Sequence, residues 1–289
     1  MAKPQKSVVV TGVSSGIGLA IAKAMVDEGW RVFGSVRKQS DADTVAQTLG
    51  DAFTPLIFDV TDQSAIDDAA ALVADMLEGR TLGGLVNNAG VAVAGPLRYI
   101  PLEDIERQMN INLYGAIRVT QAFVGLLGAD KSKRGKPGKI LNMSSVAGKI
   151  ASPIMGPYSM SKHALEAYSD SLRRELLMHG IDVVIIAPGA IKTPIWDKAD
   201  DIDTDRYQET EYFDVMMEMR EKYKELGDSG LPPEAVGARA RDVLTGRNKA
   251  VRHALLNNKL AMWTLPRLMP TRLLDKAIAD RFGFPKKSS

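Results

Sequence analysis

Tyr158-Ser-Met-Ser-Lys162 puts a phenol and an ammonium four residues apart at the start of a helical pattern, hence on one helical face. A phenol ordinarily titrates near 10. To exchange a proton at neutral pH it has to come down by roughly 2–3, which is about 3–4 kcal/mol. A neighbouring ammonium and a cationic ring both push in that direction. Ser145 follows a short apolar run and is the kind of hydroxyl that can hydrogen-bond a substrate carbonyl oxygen. Its neighbour Ser144 offers the same chemistry.

A second group of residues is suited to an anion. Thr11-Gly12-Val13-Ser14-Ser15-Gly16-Ile17-Gly18 lies where a β-branched run gives way to a helical pattern. The glycines allow a turn of unusual φ, close approach of backbone N–H groups to a pyrophosphate, and tight packing of helix on sheet. The helix N-terminus then offers unpaired donors to the phosphates. Gly12, Ser14, Ser15, Gly16, Ile17 and Gly18 are therefore candidate dinucleotide ligands. No Gly-Lys-Ser/Thr follows, which excludes a P-loop. The next β run ends Ser35-Val36-Arg37-Lys38, with no carboxylate to hold a ribose 2′-hydroxyl. Arg37 can instead grip a 2′-phosphate, so NADP(H) is favoured, with NAD(H) as the alternative.

These residues have to be carried by something regular. Apolar runs recur about every 25 residues in the first half: Ser7–Thr11, Arg31–Val36, Phe53–Phe58, Leu82–Asn87, Lys139–Met143 and Asp182–Ala187. Helical patterns fill the gaps. Asp62 caps one that ends near Gly79, another runs from Pro101 to about Leu127, and a third from Pro157 to His179, closed by Gly180. The alternation predicts an α/β fold, a doubly wound parallel sheet with helices on both faces. No linker or repeat divides the chain, so residues 1–289 read as one Rossmann-fold domain. Residues 5–195 form its cofactor-binding and catalytic core, 190–231 a helical substrate lid and 255–289 a C-terminal extension.

Composition closes off other classes. Thirty-seven Lys and Arg against 35 Asp and Glu leave +2 on 289 residues, too weak a field to indicate nucleic acid. Cysteine is absent, which removes disulfides, thiolate metal sites and a Cys nucleophile. His163, His179 and His253 are scattered and suggest no metal site. No apolar run approaches the roughly 18 residues of a membrane span, and no leader pattern is visible, so a cytoplasmic protein is expected. The basic stretch Lys131–Lys139 reads as a solvated loop, and the tail Leu255–Phe284 as packing on its own domain or a sister subunit.

Taken in order, the motifs resemble the classical short-chain dehydrogenase/reductase family over about residues 5–195. They are Thr11-Gly-x-x-x-Gly-x-Gly18, Asp59-Val60, Asn87-Asn-Ala-Gly90, Asn112-Leu-Tyr-Gly115, Ser145, Tyr158-x-x-x-Lys162 and Pro188-Gly189. The resemblance selects Ser145 over Ser144 by its distance from the tyrosine, and Asn112 over Asn110 by Asn-x-x-Gly spacing. It implies a catalytic set of Asn112, Ser145, Tyr158 and Lys162, with Asn112 holding a relay water behind Lys162. Tyr158 and Lys162 would also contact the cofactor, Lys162 through the nicotinamide ribose. Asp59 and Val60 would border the adenine, and Asn88, Ala89 and Gly90 would line the cleft. Ile191 and Thr193, after Pro188 and Gly189, would bind the carboxamide. Asn87 is expected to brace the sheet instead.

The expected reaction is hydride transfer between NADP(H) and a ketone or secondary alcohol, with Tyr158 as acid or base. Ile195, Trp196, Tyr212, Phe213, Met216, Met217 and Met219 suit a bulky hydrophobic substrate, steroid-, retinoid- or aromatic-like, although core packing explains them equally well. A non-catalytic dinucleotide-binding sensor would be expected to lack Tyr158, Lys162 or Ser145, and all three are present. An epimerase or dehydratase would carry a differently spaced glycine turn. The resemblance also implies a homodimer or homotetramer.

Overall fold

A computed structural model describes residues 5–193 and 204–284 of the chain. Seven strands form one parallel sheet: β1 (Ser7–Val10), β2 (Arg31–Val36), β3 (Phe53–Ile57), β4 (Gly84–Asn87), β5 (Lys139–Met143), β6 (Asp182–Pro188) and β7 (Arg252–Leu255). Their order is β3-β2-β1-β4-β5-β6-β7. The chain moves outward from β1 to β3, then returns to the other side of β1 with β4. That reversal opens a crevice at the carboxyl ends of β1 and β4, where open α/β sheets take ligands.

The sheet is buried on both faces because side chains alternate along each strand. Val8 and Val10 face one apolar layer and Val9 the other. The first layer holds α1 (Gly16–Asp27), α2 (Gln39–Leu49) and, further along the chain, a helix at Pro233–Leu244. The second holds α3 (Gln63–Leu77) and the segment after β4. Asp62 caps α3 as expected, its carboxylate accepting from Ala65 N–H at 3.1 Å.

The helix expected from Pro101 to about Leu127 is present and runs unbroken from Leu102 to Phe123, with a π turn inside it. It comprises α4 (Leu102–Met109), a π-helical turn at Asn110–Tyr114, and α5 (Gly115–Phe123). The Gly115 N–H reaches the Asn110 carbonyl five residues back, which widens the helix where Asn112 sits. Next comes α6 (Gly156–Glu175), whose last turn tightens before Gly180 takes φ +70°. The chain ends in α7 (Phe213–Asp228), α8 (Pro233–Leu244), α9 (Leu265–Leu268) and α10 (Thr271–Arg281).

β7 has no counterpart in the sequence reading. Arg252 and His253 interrupt its apolar pattern. The register of Ile185 with Arg252 lets the guanidinium reach Glu166, at 2.8 Å, and Asp170, at 3.3 Å, on α6. An edge strand tolerates a charge when a buried carboxylate meets it.

Candidate active site

The glycine turn is built from the ends of three strands. Thr11 Oγ1, at the end of β1, accepts hydrogen bonds from the N–H groups of Asn88 and Ala89, both at 2.9 Å. Asn88 returns two from its side chain, to the carbonyls of Thr11 (2.9 Å) and Gly12 (3.1 Å). From the other side, Gly12 N–H donates to Ser35 Oγ at 3.0 Å and Val13 N–H to the Ser35 carbonyl at 3.0 Å. Thr11 and Ser35 thus fix the turn, and neither was among the expected site residues. Ser35 left one trace in the sequence, as a hydroxyl within the apolar run Arg31–Val36.

The glycines are needed where they stand. Gly12 and Gly16 have φ of +70° and +57°, a region L side chains rarely adopt. A Cβ on Gly18 would lie 2.0 Å from the Gly12 carbonyl oxygen. Ser14 and Ser15 are exposed, Ile17 is partly buried against the core, and no acidic residue enters the first turn of α1. The result is an open cradle of N–H donors with favourable dipole, which fits a pyrophosphate. Across it, Gly90 leaves room that a Cβ would fill at 3.1 Å from Asn112 Oδ1.

Arg37 and Lys38, just past β2, are exposed, and Arg37 has no ion pair among the described residues. Asp59 Oδ1 accepts from Thr61 N–H (2.9 Å) and Oγ1 (2.7 Å). Val60 is buried beneath Gly115, whose absent Cβ would meet Val60 Cγ2 at 2.7 Å. Gly189 follows Pro188 at the end of β6 and donates to the Leu255 carbonyl at 2.8 Å. Ile191 is buried in a bridge to Leu231, and Thr193 is half-buried. Ile195 and Trp196 lie outside the described residues.

Tyr158, Ser145 and Lys162 come together at the carboxyl edge of β5. Ser145 opens a short turn, its Oγ accepting from Ala147 N–H at 3.1 Å. The Ser145 side chain stands near enough to the Tyr158 phenol to favour its ionised form, whereas the Ser144 hydroxyl is buried and lacks a partner among the described residues. Lys162 Nζ lies 5.6 Å from the centre of the Tyr158 ring and donates to the Met143 carbonyl at 2.8 Å. Asn112 sits in the π turn. Its Oδ1 accepts from Val91 N–H (2.9 Å), while its Nδ2 donates to the Val91 carbonyl (3.0 Å) and to Ser161 Oγ (3.2 Å). The Asn112 side chain therefore ties the loop after β4 to α6.

In the chain alone, burial pushes the Tyr158 phenol above its ordinary value, and the neighbouring Ser145 side chain only partly offsets this. Burial also lowers Lys162 to about 8, so the ammonium is itself weakened. The expected fall counts on a cationic nicotinamide as well as the ammonium; in the chain alone, desolvation acts on both groups and dominates. Asn87 is the sheet brace it was expected to be, donating to Thr120 Oγ1 (2.9 Å) and Asn142 Oδ1 (2.8 Å).

One residue left no mark in the sequence. Ile154, four before Tyr158, is buried with φ +63°, which is strained for a β-branched side chain. Its carbonyl accepts from Gly95 N–H at 2.8 Å, and its side chain joins Tyr207, Val215, Met216, Met219 and Phe282. Arg98 meets Glu211, and Arg206 meets Asp104, both at 2.8 Å, so two ion pairs fasten residues 206–211 to the loop after β4 and the first turn of α4.

Residues 6–203 match the short chain dehydrogenase family. The chain is a short-chain dehydrogenase/reductase. Its sequence is 41% identical, over 93% of this chain and 94% of the other, to an NADPH-dependent 3-dehydrocapnine reductase of Ornithobacterium rhinotracheale. It is 36% identical to human retinol dehydrogenase 5, over 65% of this chain and 57% of that one. Among solved structures, a short-chain dehydrogenase from Streptomyces avermitilis superposes with TM-score 0.78 at 25% identity, covering 99% of this chain and 100% of the other. The dehydrogenase/reductase fold therefore extends through β7 and the C-terminal helices, beyond the segment that carries the motifs.

Proposed function

We propose that the protein is an NADP(H)-dependent carbonyl reductase and secondary-alcohol dehydrogenase acting on bulky hydrophobic substrates. The observation that carries this reading is the meeting of Tyr158, Ser145 and Lys162 at the end of β5, with Lys162 Nζ 5.6 Å from the Tyr158 ring and the Ser145 side chain near enough to act on the phenol. In this reading the Gly12–Gly18 cradle holds the pyrophosphate and Arg37 the 2′-phosphate. Asp59 and Val60 flank the adenine, and Asn88, Ala89 and Gly90 line the cleft. Lys162 holds the ribose, and Pro188, Gly189, Ile191 and Thr193 face the nicotinamide. When bound, the reduced nicotinamide supplies a hydride to the carbonyl carbon.

The chain's own residues handle the oxygen. Ser145 Oγ donates a hydrogen bond to it, and Tyr158 delivers the proton from its phenol. A phenol held protonated by burial suits the reductive direction. In oxidation the same group has to lose its proton, and the positive charge of the oxidised cofactor favours that. Asn112, locked to Val91 and Ser161, keeps the loop and α6 in register for the exchange.

Two findings support the cofactor and substrate class. The relative from Ornithobacterium rhinotracheale is named NADPH-dependent, and the tip of β2 here carries Arg37 without a carboxylate. The bulky hydrophobic substrate class is supported by the likeness to human retinol dehydrogenase 5, whereas Met216 and Met219 are themselves buried in the apolar cluster over Ile154. We further propose a homodimer or homotetramer formed through the α4–α5 and α6 surfaces, where Leu102, Tyr114 and Met160 are exposed. The decisive assay follows absorbance at about 340 nm with NADPH and with NADH over a graded set of ketones. Turnover should rise with apolar bulk and prefer NADPH; activity confined to small polar ketones would overturn the substrate class.

A further inference from the structure

Residues 243–274 contain no Asp or Glu but hold six cations: Arg247, Lys249, Arg252, Lys259, Arg267 and Arg272. Arg247 pairs with Glu28, and Arg252 with Glu166 and Asp170. Lys259, Arg267 and Arg272 are exposed and have no ion pair among the described residues. Interleaved with them are Leu260, Met262, Leu265, Leu268 and Leu273, whose exposure runs from 36% for Met262 to 76% for Leu268. In a water-soluble segment such side chains turn inward. Here Trp263 occupies that inward position, buried at 5%, with the Arg267 guanidinium 4.9 Å from its ring.

The segment is also anchored. Phe282 packs on Tyr223 of α7 with ring centres 6.1 Å apart, and Lys222 Nζ donates to the Arg281 carbonyl at 2.9 Å. The leucine face is therefore fixed to the helix that carries the lid cluster. We propose that residues 259–273 form a docking surface for an anionic lipid bilayer, which the leucines enter while the cations meet the headgroups.

The charge pattern favours lipid over a second copy. A twofold contact places a patch against itself. That would bring Lys259, Arg267 and Arg272 near their own counterparts, with no carboxylate in the stretch to balance them. An anionic headgroup layer supplies that balance along the whole face. No helix among the described residues is long and apolar enough to cross a membrane, so the contact is peripheral.

The test is flotation of the full-length protein with vesicles of phosphatidylcholine alone, or with about 30 mol % phosphatidylglycerol. Wild type should float with the anionic vesicles, stay behind with the neutral ones, and be released as salt rises above roughly 0.3 M. Leu265→Glu combined with Leu268→Glu should lower the bound fraction about tenfold, as should Arg267→Glu with Arg272→Glu. All four side chains are exposed, and an unchanged melting temperature would verify that the variants fold. Failure of wild type to float, or flotation untouched by both pairs, overturns the proposal. If wild type ignores vesicles and the leucine pair instead lowers the assembly's mass in sedimentation, the face joins copies of the chain. The measurement needs no substrate, so its failure leaves the reductase reading standing.

Discussion

The Lys162 ammonium donates to the carbonyl of Met143 at 2.8 Å, which joins the helix carrying Tyr158 to the strand that delivers Ser145. Met143 is the last residue of β5 and stands two before Ser145. One hydrogen bond therefore sets the spacing between the two hydroxyls proposed to meet the same substrate oxygen. It also holds a cation in a buried place at a cost in its own basicity.

That cost can be read from stability against pH. Lys162 titrates near 8 in the folded chain and near 10.5 when unfolded. Between those values the unfolded chain binds more protons, so folding gains stability as pH rises. Wild type should gain up to about 3 kcal/mol relative to Lys162→Met between pH 8 and 10.5 in the absence of cofactor. Urea unfolding of both proteins across that range checks it; parallel curves would contradict the buried ammonium.

Tyr158→Phe should lower turnover by about 10²–10⁴ while NADPH affinity stays within a few-fold. In the wild type without cofactor, the Tyr158 phenol should ionise above the ordinary tyrosine range, because burial dominates. Adding the oxidised cofactor should bring that ionisation down. Ultraviolet difference titration of wild type against Tyr158→Phe isolates the group. A phenol that titrates low before cofactor is added would contradict the effect of burial.

Arg37→Ala should weaken NADPH by about 10- to 100-fold, the value of charge-assisted bonds to one phosphate, with NADH affected less than about threefold. Fluorescence titration with both cofactors gives the ratio directly. A preference left unchanged would place the 2′-phosphate elsewhere.

Gly18→Ala puts a methyl 2.0 Å from the Gly12 carbonyl oxygen, against backbone that has little room to move. It should destabilise the chain by about 1–3 kcal/mol and lower affinity for both cofactors together. Gly29→Ala serves as the contrast. Its φ is +81° but it has no atom within 4 Å, so strain alone should cost stability without touching cofactor binding.

Much of the candidate site is legible in the sequence because its arrangement is local. A helical turn brings Tyr158 and Lys162 onto one face, and the glycines of the turn are dictated by backbone sterics at fixed spacing. Six of the strands are legible too, since burial on both faces makes them continuous apolar runs. β7 is not, because Arg252 is acceptable in a strand only once Glu166 and Asp170 are brought to it across the fold.

The remaining decisions belong to the tertiary structure. The roles of Thr11 and Ser35 depend on three strand ends meeting at 2.9–3.0 Å, and no pattern along the chain encodes that meeting. The π turn around Asn112 and the strained φ of Ile154 exist because neighbouring segments hold them there. The balance of burial against charge at Tyr158 and Lys162 is likewise set by what surrounds them. Spacing can bring two ionisable groups together, but the direction in which each titrates follows from how much water the rest of the fold removes.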